Sequence, residues 1–219
     1  MRYTLENFNE FRDACHTASV NAGWWKGSQR YFTRVHGDPD VDPDRLTVPT
    51  KLCLIHSELS EMSRGYRSGD MDDHLPHLPG ALVEGGDVDI RIGDLAGYLE
   101  IDMASAIAIV GQADYIRLDT FGNLHWGNDV YIGPSGWFDL LHTFTSFAME
   151  GFRKSAPDHI IPSRTALEIN LARIVIVIHM IAERNEWDLP AAAEAKMNYN
   201  AVRLDHKAEV RALDDGKKF

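Results

Sequence analysis

The stretches HSELSEM (residues 56–62) and VEGGDVDIRIGDLA (residues 83–96) decide how this chain folds. Glu58 and Glu61 stand three residues apart, as do Glu84 and Asp87, so on a helix each pair shares one side. Apolar residues surround both pairs: Leu52, Leu54, Ile55, Leu59 and Met62 around the first, Val83, Val88, Ile90 and Ile92 around the second. Carboxylates in such segments face an interior or a cleft. Two helices packed face to face would bring four acidic donors together, and their repulsion and desolvation require a cation between them. A hard divalent ion with oxygen ligands suits that setting.

The stripes extend further. Glu84, Asp87, Arg91 and Asp94 recur along one helical face, and Lys51, Glu58 and Glu61 share another. Asp89 falls off its stripe and is excluded from the site. Around these helices the apolar spacing predicts an amphipathic helix over 4–22, carrying Leu5, Phe8, Phe11 and Cys15, and helices over 47–67, 80–99 and 101–110. The run HGDPDVDPD (36–44) reads as a surface loop, and MDDHLPHLPG (71–80) as a connector. Residues 113–133 break the helical period. Tyr115, Arg117 and Asp119 alternate before a Gly122-Asn123 turn, which predicts a small β-hairpin or an ordered loop. Helices resume over 135–154, 163–187 and 189–204, before a frayed tail, DDGKKF.

Sliding the chain against itself by 86 residues aligns HSELSEMSRGYRSG with HTFTSFAMEGFRKS without a gap. His56 meets His142, Ser60 meets Ser146, Gly65 meets Gly151 and Arg67 meets Arg153. The register continues through Asp72/Asp158, Pro76/Pro162, Ile90/Ile176, Ile92/Ile178, Ala96/Ala182 and Asp102/Asp188. A duplicated helix–connector–helix unit follows. The acidic set is absent from the second copy, where Phe144, Phe147, Asn170 and Arg173 stand for Glu58, Glu61, Glu84 and Asp87. Two phenylalanines predict an interior environment, and the arginine forbids a cation. The expected fold class is therefore all-α: an internally duplicated helical bundle, one compact domain overall. Residues 1–112 form its metal-binding unit, 113–133 an insert, and 134–219 a degenerate second unit.

The chain has 219 residues and a formal net charge of −11, which disfavours nucleic acid as a partner. A nucleotide substrate stays open, because bound metal ions invert the local field. Two cysteines, Cys15 and Cys53, without ligand spacing fit a reducing compartment. MRYTLENFNEF lacks the pattern of a secretory signal, and the apolar run 171–182 is too short to span a bilayer. The expectation is a soluble cytoplasmic protein, in the host cytoplasm if phage-encoded, with no membrane partner.

Glu58-xx-Glu61, a spacer over 62–83, and Glu84-xx-Asp87 resemble the all-α nucleoside triphosphate pyrophosphohydrolases, the group of MazG and the dimeric dUTPases. Near the end of the chain Lys196, Asn200 and Arg203 resemble the Lys-xxx-Asn-xx-Arg helix that closes many such sites. Gly23-Trp24-Trp25 is similar to a motif of phage-type members. The resemblance implies cleavage of a nucleoside triphosphate at its α–β bond, giving monophosphate and pyrophosphate. It implies Mg²⁺, with Mn²⁺ substituting, held by Glu58, Glu61, Glu84 and Asp87 and activating a water. Glu58 or Glu61 would accept that water's proton. Lys196, Asn200 and Arg203 would bind phosphate oxygens, with Lys51 and Arg91 as further candidates. Trp24 or Trp25 would stack on the base, and Asp94 would contact metal, base or sugar. Relatives assemble as dimers or tetramers, so a homo-oligomer is expected.

The substrate reading favours a purine deoxynucleotide such as dGTP, with dUTP or dCTP as alternatives. A non-catalytic helical interaction protein is the rival outside enzymes. An HD phosphohydrolase lacks its His-Asp dipeptide here, and a di-iron bundle lacks its Glu-xx-His pairs. His56 and His179 read as structural histidines. Gly85-Gly86 is unusual inside a helix, at about 1 kcal/mol per glycine relative to alanine; a neighbouring helix or nucleotide packed against that backbone would account for it, with local loosening as the alternative.

Overall fold

A computed structural model describes residues 2–25, 44–112, 116–118, 124–126, 130–133, 136–211, 213 and 216. The fold is all-α. Its helices are α1 (Phe8–Asn21), α2 (Asp44–Ser68), α3 (Gly80–Tyr98), α4 (Met103–Gln112), α5 (Trp137–Lys154), α6 (Ala166–Arg184), α7 (Leu189–Val202) and the single turn α8 (Ala208–Arg211). The predicted loop at 36–43, the Gly122-Asn123 turn, and Tyr115 and Asp119 lie outside the described residues, as does most of the C-terminal tail.

Most boundaries fall where the sequence period puts them, and the exceptions have local causes. The first helix starts at Phe8 rather than near residue 4 because Thr4 and Asn7 bond each other reciprocally. The Thr4 amide donates to Asn7 Oδ1 and the Asn7 amide to Thr4 Oγ1. Phe8, Phe11 and Cys15 then face the core as predicted. The insert is not a two-stranded hairpin. Ile116–Leu118 (β1), Leu124–Trp126 (β2) and Val130–Ile132 (β3) form an antiparallel meander in the order β1-β2-β3. Ile116 and Leu124 are buried, and the Trp137 indole donates to the Ile132 carbonyl, so the insert is pinned where α5 begins.

The two halves present matching elements 86 residues apart. Helix α3 spans 80–98 and α6 spans 166–184; α2 and α5 end at Ser68 and Lys154; α4 and α7 start at Met103 and Leu189. The connectors match in detail. Met71 bridges Pro79 as Pro157 bridges Thr165. Asp72 Oδ1 accepts from the amides of His74 and Leu75, and Asp158 Oδ1 accepts from those of Ile160 and Ile161. Glu100 and Glu186 both adopt positive φ, 55° and 57°. A Cβ on Gly65 would meet the Ala81 amide at 2.8 Å, and one on Gly151 would meet the Leu167 amide at 2.8 Å. Both helix pairs therefore depend on a glycine at the same crossing.

Helices α2 and α5 pack on each other, as do α3 and α6, around an approximate two-fold axis. The third helix of each unit crosses over: α7 lies on α3, and α4 lies on α6. This exchange welds the halves together and carries α7 to the acidic helices. Among the described residues, no helix is long and apolar enough to cross a membrane.

One sequence inference needs correction. Phe144, the counterpart of Glu58, is fully buried, but Phe147, the counterpart of Glu61, is 40 % exposed. The paired phenylalanines therefore mark an interior at only one of the two positions. Glu61 is itself exposed, so both copies turn this residue towards solvent.

Candidate metal centre

Helices α2 and α3 lie side by side, and their acidic faces meet as the spacing predicts. Glu58, Glu84 and Asp87 each offer a carboxylate oxygen, and the three oxygens lie within 4.8 Å of one another. This cluster could hold a metal ion. Glu61 lines the same cavity one turn along α2 but stands outside that tight group. The cavity has a volume of about 540 Å³ and mixes both signs of charge. Arg64, Arg91, Lys196, Arg203 and His206 line it together with the carboxylates and Asn200.

Helix α7 supplies Lys196, and the Gly85-Gly86 pair explains how. A Cβ on Gly86 would come within 3.0 Å of the Ala193 backbone, and one on Gly85 would press on Leu189 and Met62. Only glycine lets α7 approach so closely. From there Lys196 Nζ reaches Asp87 at 3.0 Å, Glu84 at 3.9 Å and Asp72 at 4.0 Å. Burial pushes the Lys196 pKa down, but the Asp87, Glu84 and Asp72 carboxylates more than offset it and hold the ammonium firmly charged. In turn Arg91 donates to Glu58 Oε1 through Nε and Nη2, at 3.1 and 2.9 Å.

These cations do not neutralise the site. Burial, then the charges of Asp87 and Glu61, raise Glu58 above the usual carboxylate range despite Arg91. Glu84 is raised to about 8 by burial, then by Asp87, Glu58 and Glu61, with Lys196 opposing. Mutual elevation of this kind is what crowded oxygen donors show when a further cation is wanted. The donor set fits a hard divalent ion.

That elevation makes a measurable prediction. Glu84 keeps a proton until about pH 8, so a cation entering at neutral pH must expel it. Mg²⁺ or Mn²⁺ affinity is expected to climb by up to about tenfold per pH unit below that value and then to level off. The sign for stability follows. A carboxyl raised above its usual 4.5 stabilises the fold below that value and loses this contribution as pH rises through about 8. Cation-free protein should therefore melt at lower temperature as pH rises across this window, and the ion should restore it. Titration calorimetry in buffers of differing ionisation heat counts the proton; affinity independent of pH would remove Glu84 from the ligand set.

The remaining predicted residues divide between two places. Lys196, Asn200 and Arg203 all line the cavity, but not as one helical face. Helix α7 ends at Val202, and Arg203 is extended (φ −60°, ψ 132°) with its guanidinium on Asp205. Asp94 and Lys51 are not among the cavity residues. Asp94 is buried and accepts from Lys51 Nζ at 2.8 Å, Trp25 Nε1 at 2.8 Å and Ser19 Oγ at 3.0 Å, with His16 Nδ1 also at 3.0 Å. Trp25 stacks on Tyr98 with ring centroids 4.1 Å apart. Trp24 turns the other way, edge-on to the cavity residue His206 and beneath Arg211. The acidic stripe of α3 thus serves two neighbourhoods, and its Asp94 end is already saturated with donors.

Asp89 keeps out of both. Fully buried, it accepts from the Tyr3 hydroxyl at 2.5 Å and pairs with His179 Nε2 at 2.9 Å, which ties the N-terminal arm to α6. Sequence reasoning missed Asp72 as a site residue, although its repetition at Asp158 was a usable signal. The second copy shows what that aspartate does. Arg173, in the position of Asp87, donates to both Asp158 oxygens at 2.7 and 3.1 Å and to Asn170 Oδ1 at 3.0 Å. There the chain provides its own cation.

No family model matches this chain, and neither the curated proteins nor the solved structures compared with it give a match.

Proposed function

We propose that this chain is a metal-dependent nucleoside triphosphate pyrophosphohydrolase of the MazG-like, all-α kind. The observation that carries the reading is the convergence of Glu58, Glu84 and Asp87 within 4.8 Å in a cavity that also holds Arg64, Arg91, Lys196 and Arg203. Clustered hard donors beside several cations suit a polyanion bridged to metal. A solvated acidic surface would carry neither the burial nor the opposing charges. Residues Glu58, Glu84 and Asp87 would hold Mg²⁺ or Mn²⁺, with Glu61 beside them. When bound, the ion would draw charge from the phosphate oxygens and make water more acidic.

The other roles belong to side chains. Glu58 is committed to Arg91, whereas among the described residues no side chain pairs with Glu61, so Glu61 is the better acceptor for the attacking water's proton. Lys196, now on Asp87, would turn to a phosphate oxygen, and Arg64 and Arg203 would receive the remaining phosphates. The products are a monophosphate and pyrophosphate. A purine deoxynucleotide such as dGTP is the favoured substrate, on the sequence resemblance and the aromatic Trp24 near the cavity.

Incubation with a panel of ribo- and deoxynucleoside triphosphates and Mg²⁺, resolved by chromatography, is expected to yield monophosphate and pyrophosphate in equal amounts from at least one substrate. Nucleoside diphosphate with inorganic phosphate would overturn the bond assignment, and an unchanged panel would overturn the enzyme reading.

A further inference from the structure

His56 and His142 occupy equivalent positions in the two copies, 86 residues apart, and meet across the approximate two-fold axis. Their Nδ1 atoms are 2.9 Å apart and their rings cross edge to face at 74°. Neighbouring positions differ, with Phe144 standing for Glu58 and Phe147 for Glu61, while both copies carry the histidine. His56 is exposed and His142 half-buried, so the pair opens to solvent. It is not part of the acidic cavity. Two residues apart on a helix, His56 and Glu58 diverge by about 200°, and the cavity lining contains neither histidine.

We propose that His56 and His142 form a two-histidine site for a later first-row transition-metal ion of the Ni²⁺, Cu²⁺ or Zn²⁺ class. Imidazole nitrogen suits these ions and discriminates against Mg²⁺, which the carboxylates suit. The spacing agrees. With metal–nitrogen bonds of about 2.0–2.1 Å, nitrogens at right angles around one ion stand about 2.9 Å apart, and tetrahedral ones about 3.4 Å. The observed separation matches the right-angle case, so Ni²⁺ or Cu²⁺ needs only a turn of the two rings that aims both Nδ1 lone pairs at the ion, and Zn²⁺ needs a slight opening as well. As it stands, the Nδ1–H of one ring meets the Nδ1 of the other; metal binding moves that proton to the same ring's Nε2, so both imidazoles stay neutral and two metal–nitrogen bonds replace the hydrogen bond. Water completes the coordination from the open side. Among the described residues neither Cys53 nor Asp139, each one turn before a histidine, comes close enough to the pair to make a third protein ligand.

The site is independent of the proposed hydrolase. Its test is Ni²⁺ titration of the full chain by calorimetry, with Mg²⁺ in large excess to fill the carboxylates. One Ni²⁺ per chain is expected. His56→Gln and His142→Gln each keep a hydrogen-bonding side chain but lose the imidazole. Each should weaken binding by at least about tenfold, since even residues behind a ligand cost that much. Failure of Ni²⁺ to bind, or binding by either variant as tight as by the unaltered chain, overturns the site. If a variant does not fold, paramagnetic Ni²⁺ added to the unaltered chain should broaden the imidazole proton signals of His56 and His142 before other histidines. Sharp signals from both overturn it equally.

Discussion

Asp87→Asn is expected to lower triphosphate hydrolysis by at least about 100-fold, because losing a direct ligand costs no less than losing a residue behind one. The substitution is nearly isosteric and removes one charge from the trio Glu58, Glu84 and Asp87. It also strips Lys196 of its closest carboxylate, the one at 3.0 Å. Two consequences separate a ligand from a bystander. Mg²⁺ affinity should fall together with turnover, and Glu84 should lose a proton more easily because a neighbouring charge that raises it has gone. Helical content should be retained, because this side chain lines a cavity and lies outside the apolar core. Glu58→Gln should behave alike, with Arg91 left unpaired. Activity assays, metal titration and circular dichroism on the same preparations check all three. An Asp87→Asn chain with unreduced turnover would exclude Asp87 from the metal set and weaken the hydrolase reading with it.

The helices and their pairing were legible because two signals agree. Apolar periodicity gives each helix, and the 86-residue repeat gives the same boundaries again from a second copy. The acidic face was legible for the same reason, since i, i+3 spacing determines direction on a helix whatever surrounds it. What escaped were features determined by tertiary neighbours. Periodicity carried Arg203 along the face of Lys196 and Asn200, but α7 ends one residue earlier and Asp205 takes the guanidinium. Asp94 belongs to the acidic stripe by spacing, yet donors from α1, from Trp25 and from Lys51 converge on it and close it off. Phe147 looked interior by type and is exposed by position. For Gly85-Gly86 the sequence left close packing and local loosening open; the fold decides for packing, with α7 from the other half as the neighbour.

The second copy offers the largest effect on stability. Arg173 and Asp158 are both about 1 % exposed at their side chains and form a bidentate pair. Arg173→Ala is expected to cost about 3–5 kcal/mol, the usual result of orphaning one member of a buried pair. Most of that is the stranded charge of Asp158, not the lost attraction, and pH separates the two. In the intact chain burial pushes Asp158 up, but the Arg173 hydrogen bond and the amides of Ile161 and Ile160 prevail and hold it below the usual range. A depressed carboxyl stabilises above its unfolded value and loses that contribution as pH falls through its folded one, so the pair protects the intact fold down to strongly acid conditions. Without the guanidinium, burial acts with less opposition and Asp158 rises. The penalty of Arg173→Ala should therefore shrink as pH falls from neutrality and Asp158 takes up a proton. Arg173→Leu combined with Asp158→Asn, which removes both charges and keeps an acceptor for the Ile160 and Ile161 amides, should recover part of the loss at neutral pH. Urea melts at neutral and mildly acid pH measure these differences. A cost that stays the same at both would mean that lost packing against Phe144, not the unpaired charge, dominates. In that case Arg173 would not be the built-in cation of a silenced metal site.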